Sequence, residues 1–235
     1  MESHVNPSFH DRLVAATGRD RQFLLGAPVI TDALAGRLDL PRYLAFLSQA
    51  WQHVRHTVPL LMSATGRLPE RLNWLQKDML HYIDEELGHD EWILADLEAA
   101  GADVEALRHQ PPGPAVDALV AYVYDTVTRR NPIGIFGMVL VLEGTSVAIA
   151  SEAAHRIQAS LGLPDAAFTY LRSHGSLDQE HIGDLKRILD RLDDPVDQQC
   201  IEQCARSVYW LYGSLFRGLD SITVPLVSAP RRVGT

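Results

Sequence analysis

Three side chains of the types that can bind a metal interrupt an apolar helical stripe in the second half of the sequence. They are His174, Asp178 and His181, in the order His-Gly-Ser-Leu-Asp-Gln-Glu-His, and the stripe continues through Leu185 and Leu189. Positions i, i+4 and i+7 lie on one face of a helix. Burying charged groups on a core-facing stripe costs on the order of several kcal/mol unless they are paired or bind a metal. The stretch therefore predicts a metal site inside a helical fold.

Two further segments carry acids or imidazoles where core residues are expected. In the helix predicted between Pro69 and Gly101, Glu86 and His89 continue the apolar stripe as a Glu-x-x-His pair. This i, i+3 pair is typical of carboxylate-bridged di-iron bundles. Glu143 is the one charged residue in the apolar and small-residue run 136–150. A lone acid in such a run is either neutralised or a ligand.

Three carboxylates and three imidazoles can hold two iron or manganese ions and leave open positions for dioxygen. Taken singly, each motif has a plainer explanation, since a Glu-x-x-His pair often faces solvent and a buried Glu often pairs with Arg or Tyr. Their joint occurrence on three core-facing helices favours a dinuclear site, with Glu143 as the predicted bridge. The predicted ligands are Glu86, His89, Glu143, His174, Asp178 and His181.

Prolines and glycines divide the 235 residues into long helical segments, and alternating strand patterns are almost absent. We therefore expect one all-α bundle of about seven main helices over residues 1–223, followed by a flexible tail over residues 224–235. A net charge of −9 with no basic patch argues against a nucleic-acid partner.

The remaining composition is that of a protein in a reducing compartment. The first residues lack the pattern of a signal peptide, and no run of about 18 uninterrupted apolar residues exists, so we expect a cytoplasmic protein. Only Cys200 and Cys204 could form a disulfide, and their i, i+4 spacing favours packing within the last helix.

Substrate-binding residues are harder to choose from the sequence. Tyr82 lies one turn before the first predicted acid, and Gln49 and His53 lie on the preceding helix, so these three are weak candidates. Three arginines could pair with a substrate carboxylate, but the sequence does not distinguish them: Arg55, Arg129 and Arg130.

The order Glu-x-x-His, then Val-Leu-Glu-Gly, then His-x-x-x-Asp-x-x-His resembles the heme-oxygenase-like di-iron oxidases and oxygenases. Their wider fold group includes the TenA thiaminases and the pyrroloquinoline-quinone synthase. The resemblance covers about residues 34–219. It implies a homodimer that binds two ferrous ions, with manganese possible in one position, at the six predicted ligands. It also implies that dioxygen oxidises a small carboxylate- or amine-bearing metabolite by carbon–carbon cleavage, decarboxylation or N-oxygenation.

Four alternatives stay open at this point. A TenA-like thiaminase needs a nucleophilic cysteine in the central bundle, whereas both cysteines lie in the last helix. A cofactor-free oxidase of the pyrroloquinoline-quinone synthase kind needs a basic pocket. A heme oxygenase needs a proximal histidine near the N-terminus, for which His10 is available. A non-catalytic iron-binding helical protein would keep the metal site without a substrate cavity.

Overall fold

The computed structural model describes residues 6–227, without the side chains of residues 175–180. Within this part the chain is helical, and its β-type pairing is limited to one isolated antiparallel bridge between Ala102 and Leu226. The predicted all-α class is confirmed. The α-helices of this region are α1 (Phe9–Ala16), α2 (Gly18–Leu25), α3 (Pro28–Leu34), α4 (Leu40–Val54), α5 (Thr57–Thr65), α6 (Gln76–Glu86), α7 (His89–Ala99), α8 (Val104–Arg108), α9 (Pro114–Asp125), α10 (Ile135–Leu161), α11 (Thr169–Arg191) and α12 (Pro195–Gly218).

The helices are more numerous than the seven predicted because several predicted segments are broken. The segment expected to run unbroken between Pro69 and Gly101 is a 3-10 turn followed by α6 and α7. Helix α6 ends at Glu86, Leu87 has extended backbone angles, and Gly88 has a φ of 86°. Glycine takes this left-handed conformation without steric cost. The Glu-x-x-His motif therefore spans a helix break.

Helix α10 is the central helix of the bundle, in contact with α3, α11 and α12. The stretch Pro132–Leu161 is long and apolar enough to cross a membrane, but 67% of its most apolar window is buried in the fold. Such burial is expected of the core helix of a soluble bundle. At Gly137 the two backbones of α10 and α12 come so close that an added Cβ would lie 2.5 Å from the carbonyl oxygen of Ile201.

A buried carboxylate fixes α7 to α11. The side chain of Asp96 on α7 is fully buried and accepts hydrogen bonds from the backbone N–H groups of Thr169 and Tyr170, at 3.0 and 2.9 Å. These N–H groups belong to the first turn of α11, where no intrahelical acceptor exists. The helix that begins with His89 is thereby held in register with the helix that carries the His-x-x-x-Asp-x-x-His motif.

The segment expected to form a flexible tail begins with ordered contacts. The N–H of Asp103 donates to the carbonyl of Pro225 at 2.8 Å, and the N–H of Val227 donates to the carbonyl of Gly101 at 3.1 Å. Residues 228–235 of the predicted tail lie outside the described residues.

Candidate metal centre

Five of the six predicted ligands come together in the bundle interior. Glu86 lies at the end of α6 and His89 at the start of α7, while Glu143 comes from α10 and His174 and His181 from α11. All but Glu86 are buried, and the side chain of Glu86 is only 11% exposed. The sixth predicted ligand, Asp178, lies in the segment whose side chains are outside the description.

The five side chains form two groups that have Glu86 in common. Glu86, His89 and His174 form one group, and Glu86, Glu143 and His181 form the other. Within each group, one donor atom from each residue lies within 4.8 Å of the others. Among the described side chains, Glu86 is the residue that both groups contain, which makes it a candidate for the bridging position beside the predicted Glu143. Sequence spacing could not show this, because the distances between helices decide it.

The break between α6 and α7 gives Glu86 and His89 their relative position. In an unbroken helix, Glu86 and His89 would lie one above the other on one helix face. In the structure, Glu86 is the last residue of α6 and His89 is the first residue of α7. Its Nδ1 lies 3.1 Å from Oε2 of Glu86. The ring of Trp92 stacks on the imidazole of His89 at a centroid distance of 4.2 Å and limits its rotation.

His174 is held as a neutral imidazole with one nitrogen available. Burial, opposed by the charge of Glu86, lowers the pKa of His174 to about 4. Its Nδ1 lies 3.0 Å from the carbonyl oxygen of Tyr170, which can only accept a hydrogen bond. Nδ1 therefore carries the proton and Nε2 carries the lone pair. This is the arrangement that protein histidines commonly adopt when they bind a metal.

His181 has a carboxylate partner, Glu85, that is not among the predicted ligands. Oε2 of Glu85 lies 3.1 Å from Nε2 of His181, and Oε1 of Glu85 lies 3.3 Å from Nε2 of His81. The other ring nitrogen of His181, Nδ1, lies 3.7 Å from Glu143. A carboxylate on one nitrogen orients the other nitrogen toward a metal. The sequence signal that could have indicated this partner is the pair of adjacent acids Glu85 and Glu86. Only Glu86 lies in phase with the apolar stripe, so only Glu86 was predicted as a ligand.

The charge state of Glu86 follows from its neighbours. Burial raises its pKa, but the hydrogen bond from His89 and the charges of His89, His174 and His181 outweigh this effect, so the pKa of Glu86 lies below its ordinary value. Glu86 is therefore an anionic oxygen donor at neutral pH.

A cavity beside these groups, which we call the cluster cavity, is lined by Glu86, Glu143, His174 and nine other residues, among them His53. His53 is fully buried, and burial, with a smaller effect from His174, lowers its pKa to about 4. Its Nε2 has no hydrogen-bond partner among the described residues. His53 thus offers an unused polar atom beside the site.

The other two substrate-binding candidates have structural partners. Oε1 of Gln49 accepts a hydrogen bond from the N–H of Gly113 at 2.7 Å, and Gln49 lines a separate small cavity instead of the cluster cavity. The hydroxyl of Tyr82 donates to the backbone carbonyl of His181 at 3.3 Å. Burial first, and then the charge of Glu143, raises the pKa of Tyr82, so its hydroxyl stays protonated. The structure gives Gln49 a role in holding a loop and Tyr82 a role in supporting α11.

None of the three candidate arginines lines the cluster cavity. The guanidinium of Arg55 lies over the ring of Trp51, and Arg129 and Arg130 both pair with Asp125. These contacts place none of the three guanidinium groups beside the candidate metal centre.

His10 and the cysteines do not form alternative centres. The ring of His10 lies between Asp11 and Lys186, at 3.1 and 3.4 Å, against the far half of α11. Cys204 is fully buried against Gly137, and burial raises the pKa of its thiol to about 12. Neither cysteine belongs to a group of potential metal ligands among the described residues.

Comparison with known proteins identifies a matching family. The sequence model of a protein family described as iron-containing redox enzymes matches residues 44–213. No functionally curated protein matches the sequence.

Several solved structures share the fold. A domain of unknown function with a heme-oxygenase-like fold from Shewanella denitrificans is 18% identical, with a TM-score of 0.80 over 92% of this chain and 93% of that one. A TenA homologue from Pseudomonas syringae is 14% identical, with a TM-score of 0.78 over 94% and 96% of the two chains. The heme oxygenase from Leptospira interrogans is 14% identical, with a TM-score of 0.72 over 90% and 99%. These similarities confirm the predicted heme-oxygenase-like, TenA-like fold.

Proposed function

The chain belongs to the family of iron-containing redox enzymes, and from this premise we propose that it is a non-heme di-iron oxidase or oxygenase. It would use dioxygen to oxidise a small organic substrate held beside the metal centre. The observation that carries the proposal is the pair of buried donor groups that share Glu86.

The donor set fits iron. Imidazole and carboxylate are the ligands of non-heme iron sites, and a carboxylate shared by two groups is the usual bridge in helical di-iron proteins. Glu86 and Glu143 place two carboxyl groups beside the cluster cavity, whose lining has neither Lys nor Arg. A cation bound there would stabilise their ionised forms by its positive charge. Two ferrous ions would supply that charge and the electrons for dioxygen reduction.

The residues around the site would set its geometry. His89 and His174 would hold one ion with Glu86, and Glu143 and His181 would hold the other with the same carboxylate. Tyr170, Glu85 and Trp92 orient the imidazoles before any metal binds, through the contacts described above. Preorganised ligands reduce the reorganisation that metal binding requires. Asp178 stays a predicted sixth ligand, and manganese stays possible in one position.

His53 is the chain's best candidate for contact with the substrate or with dioxygen. It lines the cluster cavity, is neutral, and has an unused Nε2. A buried imidazole nitrogen without a partner costs stability, and a bound molecule that pairs with it would recover that cost. A homodimer, expected from the family resemblance, remains a prediction.

The position of His10 argues against a heme enzyme. A heme ligand must face an interior cavity, but the ring of His10 lies between Asp11 and Lys186 and does not line the cluster cavity. The imidazoles that line the cluster cavity are His53 and His174, of which His174 belongs to the di-metal proposal.

Oxygen uptake by the iron-loaded protein tests this proposal. The native protein, loaded anaerobically with ferrous iron, should consume dioxygen faster when its substrate is present, and a panel of straight-chain acids, amino acids and aromatic acids would search for that substrate. His174→Ala should abolish the stimulated uptake while the helical circular dichroism stays unchanged. His155→Ala, on the exposed side of α10, is the matched control. Iron binding with no stimulation by any compound would favour a storage function instead.

A further inference from the structure

A row of four side chains that can bind a metal connects the candidate metal centre with the protein surface, and we call it the donor row. His81 and Glu85 lie one turn apart on α6, with Oε1 of Glu85 3.3 Å from Nε2 of His81. Oε2 of Glu85 lies 3.1 Å from Nε2 of His181, and Nδ1 of His181 lies 3.7 Å from Glu143. Imidazole and carboxylate donors lie about 2 Å from a bound transition metal such as zinc, so two donors within about 4 Å can share one ion. Each step of the donor row is short enough for a cation to contact both neighbours.

The donor row leads from solvent into the interior. The side chain of His81 is 56% exposed, that of Glu85 is 33% exposed, and that of His181 is 6% exposed. Glu85 therefore lies at the boundary, with one oxygen toward the outer imidazole and the other toward the inner one. The inner end of the row belongs to the donor group formed by Glu86, Glu143 and His181.

The imidazoles of the other donor group have internal contacts. The ring of His89 lies against Trp92, at a centroid distance of 4.2 Å, and Nδ1 of His174 lies 3.0 Å from the carbonyl oxygen of Tyr170. Both histidines are buried. Among the side chains that the structure describes, the connection to an exposed imidazole is thus the one through Glu85.

A buried centre requires a route for its metal. Moving a hydrated cation into an apolar interior is strongly unfavourable unless other donors replace its water ligands. Donors at successive depths can replace these waters one after another, and a carboxylate at the surface attracts the cation. The contact between His81 and Glu85 contributes little to stability, because exposed ion pairs on a helix are weak. A role in cation transfer accounts for its continuation to His181.

We propose that ferrous ions enter and leave the candidate metal centre through His81 and Glu85, with Glu85 transferring the ion from the exposed imidazole to His181. This inference rests on the proposed function, because it concerns how that centre is loaded. His81 is an outer docking residue in this proposal and does not bind an ion in the loaded centre.

Rates of cation binding under nitrogen test the proposal. Stopped-flow absorption with Co²⁺ measures the rate of entry, and a chelator added in excess to protein loaded with ferrous iron measures the rate of release. His81→Ala should lower both rates by about three- to tenfold. The Kd and the number of bound ions should stay unchanged, because a route alters the barrier and leaves the two end states the same. An entry rate equal to that of the native protein would overturn the inference.

His81→Asp separates cation transfer from a structural ion pair. Aspartate is also a metal donor, so this variant should load at a rate close to that of the native protein. It also places two acids at i, i+4, which should lower the thermal unfolding temperature slightly. Entry as slow as in His81→Ala would contradict a donor role for this position.

Two variants on α10 are the matched controls. His155→Ala removes an exposed imidazole, and Arg156→Ala breaks the exposed i, i+4 pair with Glu152. Both should take up Co²⁺ at the native rate. Slowing as large as in His81→Ala would show a general effect of surface charge and refute the route.

Glu85→Gln tests the inner step. It should slow entry by about tenfold or more, and it should also weaken the Kd because the carboxylate orients His181. The double variant His81→Ala/Glu85→Gln should be no slower than Glu85→Gln, since both residues lie on one route. Slowing equal to the product of the two single effects would show independent actions and contradict a shared route.

The outcomes also separate this inference from the proposed function. Native loading rates in His81→Ala, in a protein that shows substrate-stimulated oxygen uptake, would refute the entry route alone. Slowed loading in His81→Ala, in a protein that no substrate stimulates to consume dioxygen, would refute the oxygenase function and leave the entry route. A protein that binds neither Co²⁺ nor ferrous iron would refute both.

Discussion

Replacing Asp96 with alanine should destabilise the fold and loosen the metal centre together. The carboxylate accepts two backbone N–H groups at the start of α11 and is fully buried. A buried donor that loses its acceptor costs about 1–3 kcal/mol, so two such donors predict a loss of about 2–6 kcal/mol. This is a large share of a total stability of roughly 5–15 kcal/mol. Urea unfolding followed by circular dichroism measures the change directly.

The matched control is Glu98→Ala, which removes an exposed acid from the same helix. An exposed acid near a helix C-terminus contributes little or is slightly unfavourable, so this variant should unfold within about 0.5 kcal/mol of the native protein. If Asp96→Ala unfolds with the same midpoint as Glu98→Ala, the coupling of α7 to α11 through Asp96 is refuted.

The same carboxylate predicts a pH dependence. Burial raises the pKa of Asp96, and the hydrogen bonds from Tyr170 and Thr169 only partly oppose this effect. Between the ordinary pKa of 3.8 and the raised pKa, the folded protein retains a proton on Asp96 that the unfolded chain has lost. The contribution of Asp96 to the free energy of unfolding is therefore greatest below pH 3.8 and falls as the pH rises from there through the raised pKa. The native protein's free energy of unfolding, relative to that of Asp96→Asn, should therefore fall as the pH rises between these two pKa values. A rise in this difference with pH would contradict the direction of the pKa shift.

Three further predictions concern the packing that supports the site. Gly137→Ala should lower the free energy of unfolding by about 1–3 kcal/mol through overpacking against α12. Gly144→Ala, whose added Cβ meets no atom within 4 Å, should raise it by about 0.5–1 kcal/mol. Equal unfolding temperatures of the two variants would refute the close approach of α10 and α12 at Gly137. Cys204, whose pKa is raised to about 12, should react with a thiol reagent at neutral pH only after unfolding; prompt reaction in the native protein would disprove its burial. Asp197 is fully buried and accepts hydrogen bonds from Arg71 and Asn131, which overcome the effect of burial and lower its pKa. Asp197→Asn should lower the free energy of unfolding by about 2 kcal/mol, a small value for a broken buried pair because Arg71 is half exposed. The difference in free energy of unfolding between Asp197→Asn and the native protein should vanish as the pH falls below the ordinary carboxyl range.

The sequence predicts which side chains face the interior where local periodicity alone decides their direction. His174 and His181 share a helical face with Leu185 and Leu189, and all four are buried in α11. Glu143 was conspicuous because it is the one charge in an apolar run, and an acid in a core helix has to meet a partner. The all-α class follows from the same periodicity.

Contacts between helices are what the sequence could not predict. The helix break at Leu87 and Gly88 could not be predicted, because a single glycine within a helical pattern is usually tolerated without a break. That break moves Glu86 into the shared position and brings Glu85 to His181. Gln49 has a plausible helical phase but bonds to a loop that no local pattern places beside it.

The apolar cavity between α3 and α10, lined by residues such as Ile30, Ala150 and Ala153, is equally a product of packing. Alanines at positions 150 and 153 look like ordinary helix-forming residues in the sequence. They leave space only because α3 crosses α10 at that level. The same limitation applies to the arginines, whose distance from the site depends on how the end of α4 and the helical turn Thr126–Arg130 after α9 are oriented in the bundle.

A crystal structure of the protein loaded with ferrous iron under nitrogen, with anomalous scattering recorded at the iron absorption edge, tests the central claim most directly. The account predicts two iron peaks roughly 3.5–4 Å apart, on either side of the Glu86 carboxylate, with His89 and His174 on one ion and Glu143 and His181 on the other. A single peak, or iron bound away from Glu86, would contradict it.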